Sequence, residues 1–416
     1  MSHIDIHQQT LANGLRVIVC PDHSAPILTV NVMYHVGSFD EQPHRTGLAH
    51  LFEHLMFDNT STGMEKQYER LSARAGATSN AYTNYDQTAY HITLPKHQLD
   101  IGLWLEAERM RSFQIDERSL ITQRKVVIEE IKQQVLNQPY ARWQFATDAA
   151  AYASDCHYSW HVYGDPDHVA NTSMDDARDF YQRFYTPDNA VLCVAGDCEP
   201  EDVYARANAQ FGSIPRAPQP PTRTTINVAQ LKHGVHSIEK DSVPTAAIFV
   251  SVHMPGQCHD EILVADLVSS LIGVGRASIL YRELVKNRRI ASTTASFIDR
   301  RAQSSLLTII IYAIDENVSP DMLADALESV LQGASVSQAD LSRVVNRQRT
   351  ALAMELQRTD GVADSVNFYA TFKNDPNEVN NLLQKYSAVK LEEVNALMTR
   401  VANKDQWIRV DIIPND

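Results

Sequence analysis

The stretch SIPRAPQPPTRT at 213–224 constrains the fold more than any other segment. Its four prolines in seven residues fix φ and remove backbone donors, so neither a helix nor a central strand can run through it. The backbone it favours is an extended tether. A chain of 416 residues is also too long for one compact core. We therefore expect two domains, 1–214 and 225–416, joined by a proline-rich linker.

The two halves repeat an order of elements. In the first, LRVIVCPD and ILTVNVMYHVGS alternate apolar and polar residues as paired strands do, and a helical pattern begins near Gly47. In the second, TAAIFVSVHM is followed by the helical stretch DEILVADLVSSLIG. Later strand signals are TAYHITLP (88–95) and NAVLCVAGD (189–197) in the first half and SSLLTIIIYA (304–313) in the second. Helical periodicity marks ERSLITQRKVVIEEIKQQVL (117–136) and ADALESVLQ (324–332). Interleaved strands and helices with hairpin-like pairs imply an α+β class: two similar α/β-sandwich halves with mostly antiparallel sheets.

Bulk properties exclude several functions. A net charge of -14 offers no clustered cation surface for phosphates, so no nucleic-acid partner is expected. The longest apolar runs fall well short of the roughly 20 residues of a membrane helix. The N-terminus MSHIDIHQQTLANGLRVIV lacks the pattern of a secretory leader. Five scattered cysteines, none in a C-x-x-C pair, suggest reduced thiols rather than a disulfide framework. These features together predict a cytoplasmic protein.

Chemistry concentrates in GLAHLFEHLMFD (47–58). On a helical wheel Leu48, Leu51, Phe52, Leu55 and Met56 form one apolar stripe, while His50, Glu53, His54 and Phe57 gather on the opposite side. Two imidazoles four residues apart point the same way and can grip one metal ion. Glu53 lies between them and can act on water without binding the metal. A chance H-x-x-E-H match need not segregate its polar residues from a complete apolar stripe, and this one does.

The order H-x-x-E-H inverts the more familiar H-E-x-x-H. With TLANGLRVIV, GLAHLFEHLMF, NAYTNYDQTAYHITLP, VVIEEIKQQ and FYTPDNAVLCVAGD, it makes the chain resemble the zinc peptidases that include pitrilysin, insulin-degrading enzyme and mitochondrial processing peptidase. The resemblance spans most of the chain. It implies paired α+β halves that close around a peptide, and cleavage of short or unfolded peptides.

It also implies a third zinc ligand, a glutamate a little over seventy residues past the motif, where Glu129 and Glu130 stand. Leu120, Val127, Ile128, Ile131 and Val135 define the buried stripe of that helix. Glu129 lies nearly opposite the stripe and Glu130 at its edge, so Glu130 is the better ligand and Glu129 a solvated residue. In this reading His50, His54 and Glu130 hold Zn²⁺, which acidifies water and polarises the scissile carbonyl, and Glu53 is the general base. Where such peptidases carry an acidic residue two turns before the glutamate ligand, this chain has Gln123, expected to orient a ligand by hydrogen bonding. By the same resemblance Asn80 and Ala81 lie on an edge strand that contacts the substrate backbone, and Phe57 lines a side-chain pocket.

One departure bears on partners. Complete members present an arginine and, seven residues on, a tyrosine from the C-terminal half; here LYRELVKNRRIASTT places Val285 and Ser292 there. Arg282, Arg288 and Arg289 lie nearby without a tyrosine at that interval. The chain is also half the length of a four-domain clamshell. A heterodimer in which a related subunit supplies the missing pair is therefore expected. The alternatives are a homodimeric peptidase and a noncatalytic core or assembly subunit of the same fold.

Overall fold

The computed structural model describes residues 3–58 and 67–415. The chain forms two compact units, each built on one sheet. The first sheet contains β1 (His7–Thr10), β2 (Arg16–Pro21), β3 (Ile27–Tyr34), β4 (Thr78–Thr83), β5 (Thr88–Pro95) and β6 (Ala190–Gly196), in the order β1-β2-β6-β3-β5-β4. The second contains β7 (Val235–Asp241), β8 (Ala247–Pro255), β9 (Ala291–Asp299), β10 (Ser304–Ala313) and β11 (Ile408–Pro414), in the order β7-β11-β8-β10-β9.

Without β1, the two orders are the same. β2, which lies between β1 and β6, and β7, at the edge of its sheet, pair in parallel with the last strand of their own sheet, β6 and β11 respectively. All other pairings are antiparallel. The α+β architecture with two similar halves is thus present strand for strand. The apolar runs of β3, β6 and β10 are buried almost throughout, as strands covered on both faces must be.

In the first unit, the helix Leu48–Asp58 lies by β4 and the helix Leu99–Arg111 packs on β3 and β5. The helix Thr359–Lys373 covers the other face of the sheet. There Thr29 Oγ1 meets Thr359 Oγ1 at 2.8 Å, and Asn367 Nδ2 donates to the Asn31 carbonyl at 3.0 Å. In the second unit the helix Trp143–Ala151 packs on β7, β8 and β11, with the Trp143 ring stacked on Phe249 at 4.9 Å. The fully buried Arg301 pairs there with the fully buried Asp148 and with Asp299.

These placements revise the domain boundaries. Residues 215–224 do carry neither helix nor strand, as the prolines require. The units, however, are not contiguous halves. The first comprises Met1–Glu130, Val162–Thr224 and Leu352–Leu382, the second Ile131–His161, Thr225–Ala351 and Leu383–Asp416. A helix joins whichever sheet offers an apolar face to its stripe, and that choice is independent of sequence proximity. Among the described residues no helix is long and apolar enough to cross a membrane.

Candidate metal centre

The Leu48–Asp58 helix forms as its periodicity predicts, with Leu48, Leu51, Phe52, Leu55 and Met56 all buried. Its N-terminus is fixed by Glu41, a buried carboxylate that accepts from the Gly47 N–H at 3.0 Å and the Ala49 N–H at 2.7 Å. A negative group there satisfies first-turn donors and complements the helix dipole. Gly47 has φ +85°, and a Cβ at that position would stand 2.6 Å from the Tyr163 carbonyl oxygen. Only glycine lets the chain enter the helix so close to Tyr163.

His50 and His54 lie one turn apart with ring centroids at 5.0 Å. Glu130, from the helix Glu117–Ile131, reaches both: its Oε2 lies 3.2 Å from His54 Nε2 and its Oε1 3.7 Å from His50 Nε2. The three side chains each offer a donor atom, all within 4.8 Å of one another, and no other such group occurs among the described residues. Ligand bonds of about 2.0–2.1 Å in a tetrahedral zinc site imply donor–donor separations of about 3.3 Å. The two imidazole–carboxylate spacings bracket that value, so the donor set fits zinc. Glu129 is exposed and takes no part in the cluster.

Electrostatics agree with the geometry. The His54 hydrogen bond, helped by the nearby His50, holds the Glu130 carboxyl below its ordinary range, against the opposing effect of burial. Glu53 has the reverse character: burial pushes its carboxyl up, partly offset by a hydrogen bond from Thr83. That bond runs from Thr83 Oγ1 to Glu53 Oε2 at 2.7 Å and ties the helix to β4. One carboxylate thereby favours its anionic form, and the other has a raised proton affinity.

The structure places the remaining expected residues as follows. β4, carrying the exposed Asn80 and the half-buried Ala81, is the outermost strand of its sheet. Phe57 sits edge-on to Tyr68 at 5.2 Å with the Arg109 guanidinium 4.8 Å over its ring, inside an aromatic cluster. Among the described residues Gln123 hydrogen-bonds none of the three candidate ligands: its Nε2 donates to Asp58 Oδ2 at 2.6 Å, at the last residue of the His-bearing helix. An amide can donate to a carboxylate where an acidic side chain could not, and that redirects it. Val285 is half-buried in the π-helical segment Tyr281–Asn287, and Ser292 is exposed on β9, the outer strand of the second sheet.

Sequence reasoning missed Tyr163, whose hydroxyl donates to Glu130 Oε1 at 3.4 Å and whose ring stands edge-on to His50 at 4.8 Å. It also missed Glu41 and Thr83. Only the context WHVYGDPDH, rich in aromatic and polar residues, hinted at Tyr163.

Comparison with known proteins bears on the family to which the chain belongs. Residues 16–155 match the family described as insulinase (peptidase family M16), and residues 171–348 match the one described as the peptidase M16 inactive domain. The zinc protease PqqE of Helicobacter pylori is 28% identical over 97% of this chain and 91% of its own length. The beta subunit of the mitochondrial processing peptidase of Lentinula edodes is 22% identical over 96% of this chain and 87% of its own. A crystal structure of a protease from Helicobacter pylori superposes with a TM-score of 0.90 at 25% identity, covering 99% of this chain and 100% of that one. With both family patterns matched in chain order and relatives aligned nearly end to end, the chain belongs to the insulinase family of peptidases, M16.

Proposed function

We propose that the chain is a zinc-dependent metallopeptidase that hydrolyses short or unfolded peptides, the catalytic subunit of a two-chain enzyme. The observation that carries this reading is the convergence of His50, His54 and Glu130 within 4.8 Å, with Glu53 on the same helix face. His50, His54 and Glu130 would hold the zinc. When bound, the metal supplies Lewis acidity toward water and the scissile carbonyl.

The protein's own groups do the rest. Glu53, its proton affinity raised by burial, takes a proton from the attacking water and returns it to the leaving amine. Thr83 holds the Glu53 carboxyl in place through the 2.7 Å hydrogen bond. Tyr163 steadies the Glu130 carboxylate through its hydroxyl. The substrate backbone lies along β4 as an added strand, with Asn80 and Ala81 in contact, so binding depends little on peptide sequence. Phe57, within its aromatic cluster, supports the helix that carries the ligands. The compartment we propose is the cytoplasm, supported by five free thiols.

A second reading, a noncatalytic core subunit of the same fold, is favoured by Val285 and Ser292, which supply neither cation nor phenol. A homodimeric peptidase is the third. The test is zinc content and chelator-sensitive cleavage of a fluorogenic peptide, measured on the chain alone, on the chain co-purified with a related subunit, and on Glu53→Gln. Zinc at one per chain with activity only in the heterodimer supports the proposal. Full activity in a homodimer moves it to the third reading, and zinc-free inert protein to the second.

A further inference from the structure

Strand β4 offers two faces. Thr83 points toward the Leu48–Asp58 helix and Glu53. Tyr82 therefore points the other way, and its hydroxyl donates to Asp364 Oδ1 at 2.8 Å. On that face the end of the helix Gln338–Glu355 and the start of the helix Thr359–Lys373 enclose a cavity of about 430 Å³. Tyr82, His91, Met354, Glu355, Arg358 and Asp364 line it.

The charges in the cavity are unevenly satisfied. Arg358 is held by Asp360, with Nε at 3.0 Å from Oδ1 and Nη2 on Oδ2. Glu355 accepts from the Ser365 hydroxyl at 3.1 Å; Arg358 lies near enough to feel its charge but is hydrogen-bonded to Asp360, and among the described residues no cation forms an ion pair with Glu355. Asp364 takes both of its hydrogen bonds on Oδ1, from Tyr82 and from Asn31 Nδ2 at 3.3 Å, while Oδ2 takes none among the described residues. Burial pushes the Asp364 carboxyl above the ordinary range, and a cation beside it would relieve that cost. Met354 is 65% exposed and gives the cavity an apolar wall on which a methylene chain can lie.

We propose that this cavity is a specificity pocket for the lysine or arginine side chain of a peptide bound along β4. The proposal rests on the peptidase reading above. In an added strand, side chains alternate between the faces of the sheet. One parity faces the histidine-bearing helix, and the other faces this cavity. The ammonium or guanidinium head completes Asp364 Oδ2 and Glu355 by charge-assisted hydrogen bonds, and its stem packs on Met354. Each such bond contributes enough to prefer a basic residue over alanine by about tenfold.

The experiment uses the active enzyme and a set of alanine-based peptides in which one lysine is moved through each position, with kcat/KM and cleavage sites read by mass spectrometry. Lysine at positions of one parity is expected to raise kcat/KM about tenfold over the all-alanine peptide. Asp364→Asn is expected to collapse that ratio, and Glu355→Lys to invert it toward a glutamate-bearing peptide. Because each ratio is taken within one protein preparation, partial misfolding does not change it. Binding of the same peptides to Glu53→Gln, read by fluorescence anisotropy, should show the same preference. A ratio near one at every position, or a preference that survives both substitutions, overturns the pocket. Absence of any chelator-sensitive hydrolysis overturns the peptidase reading instead.

Discussion

The Thr83 hydroxyl donates to Glu53 Oε2 at 2.7 Å, and this bond ties the outer strand of the first sheet to the helix that carries two of the three candidate metal-ligating side chains. Strand β4 and the Glu53 carboxylate are thereby held in one register. The bond stabilises the charged form of Glu53, against the burial that raises its pKa. Thr83→Val should therefore lower kcat by about tenfold, and the acid limb of the pH–rate profile should move to higher pH, because a base with a raised pKa is protonated sooner on acidification. An unmoved acid limb would show that the hydroxyl does not tune Glu53.

Glu130 and Glu129 are neighbours in sequence with opposite assignments. Glu130→Gln should weaken zinc binding by at least about tenfold to a hundredfold, read by competition with a chromophoric chelator. Glu129→Gln, at an exposed position, should leave both zinc binding and activity where they were. Equal losses in the two variants would remove Glu130 from the ligand set.

In the second unit, Arg301 and Asp148 are only 1% and 2% exposed in their side chains. Asp148→Ala leaves a buried guanidinium short of one partner, although Asp299 and the Tyr158 carbonyl still contact it. Denaturant unfolding should show a loss of about 3 kcal/mol or more. A loss below about 1 kcal/mol would mean that the remaining contacts suffice.

Burial, with Arg301 nearby, pulls His161 down to about 4. His253 is likewise pulled down to about 4 by burial, against a hydrogen bond to the Ala151 carbonyl that favours its charged form. Both are neutral in the folded state, while the unfolded chain takes up protons near pH 6.5. Stability is thus fully present above pH 6.5 and is lost as pH falls toward 4. Between pH 7 and 5 each histidine accounts for about 2 kcal/mol of that loss. His161→Gln should reduce the difference in unfolding free energy between the two pH values by about that amount, and an unchanged difference would mean His161 is protonated in the native state.

Much of this molecule was legible beforehand, for identifiable reasons. The strand Thr88–Pro95 coincides with the alternating stretch TAYHITLP, because period-two patterning is local and the strand is covered by a helix on one face. His50, Glu53 and His54 are legible because four-residue spacing on one helix fixes their relation. Tyr163, Glu41 and Thr83 were not legible, because each reaches the site from a separate segment. Gln123 was assigned to the wrong partner for the same reason: its acceptor, Asp58, lies 65 positions away. The boundary at 214 failed because the helices Trp143–Ala151 and Thr359–Lys373 each belong with strands far from them in sequence.

The place of Thr359–Lys373 has a consequence for biosynthesis. As the polypeptide leaves the ribosome, β1 to β6 are complete by Gly196, yet the helix that covers one face of their sheet emerges more than 150 residues later. Until then Thr29 and Asn31, which bond Thr359 and Asp364 in the finished protein, face water beside an apolar surface. A nascent chain stalled before this helix is a natural client for chaperones, and a fragment ending at the proline-rich tether will not mature by itself.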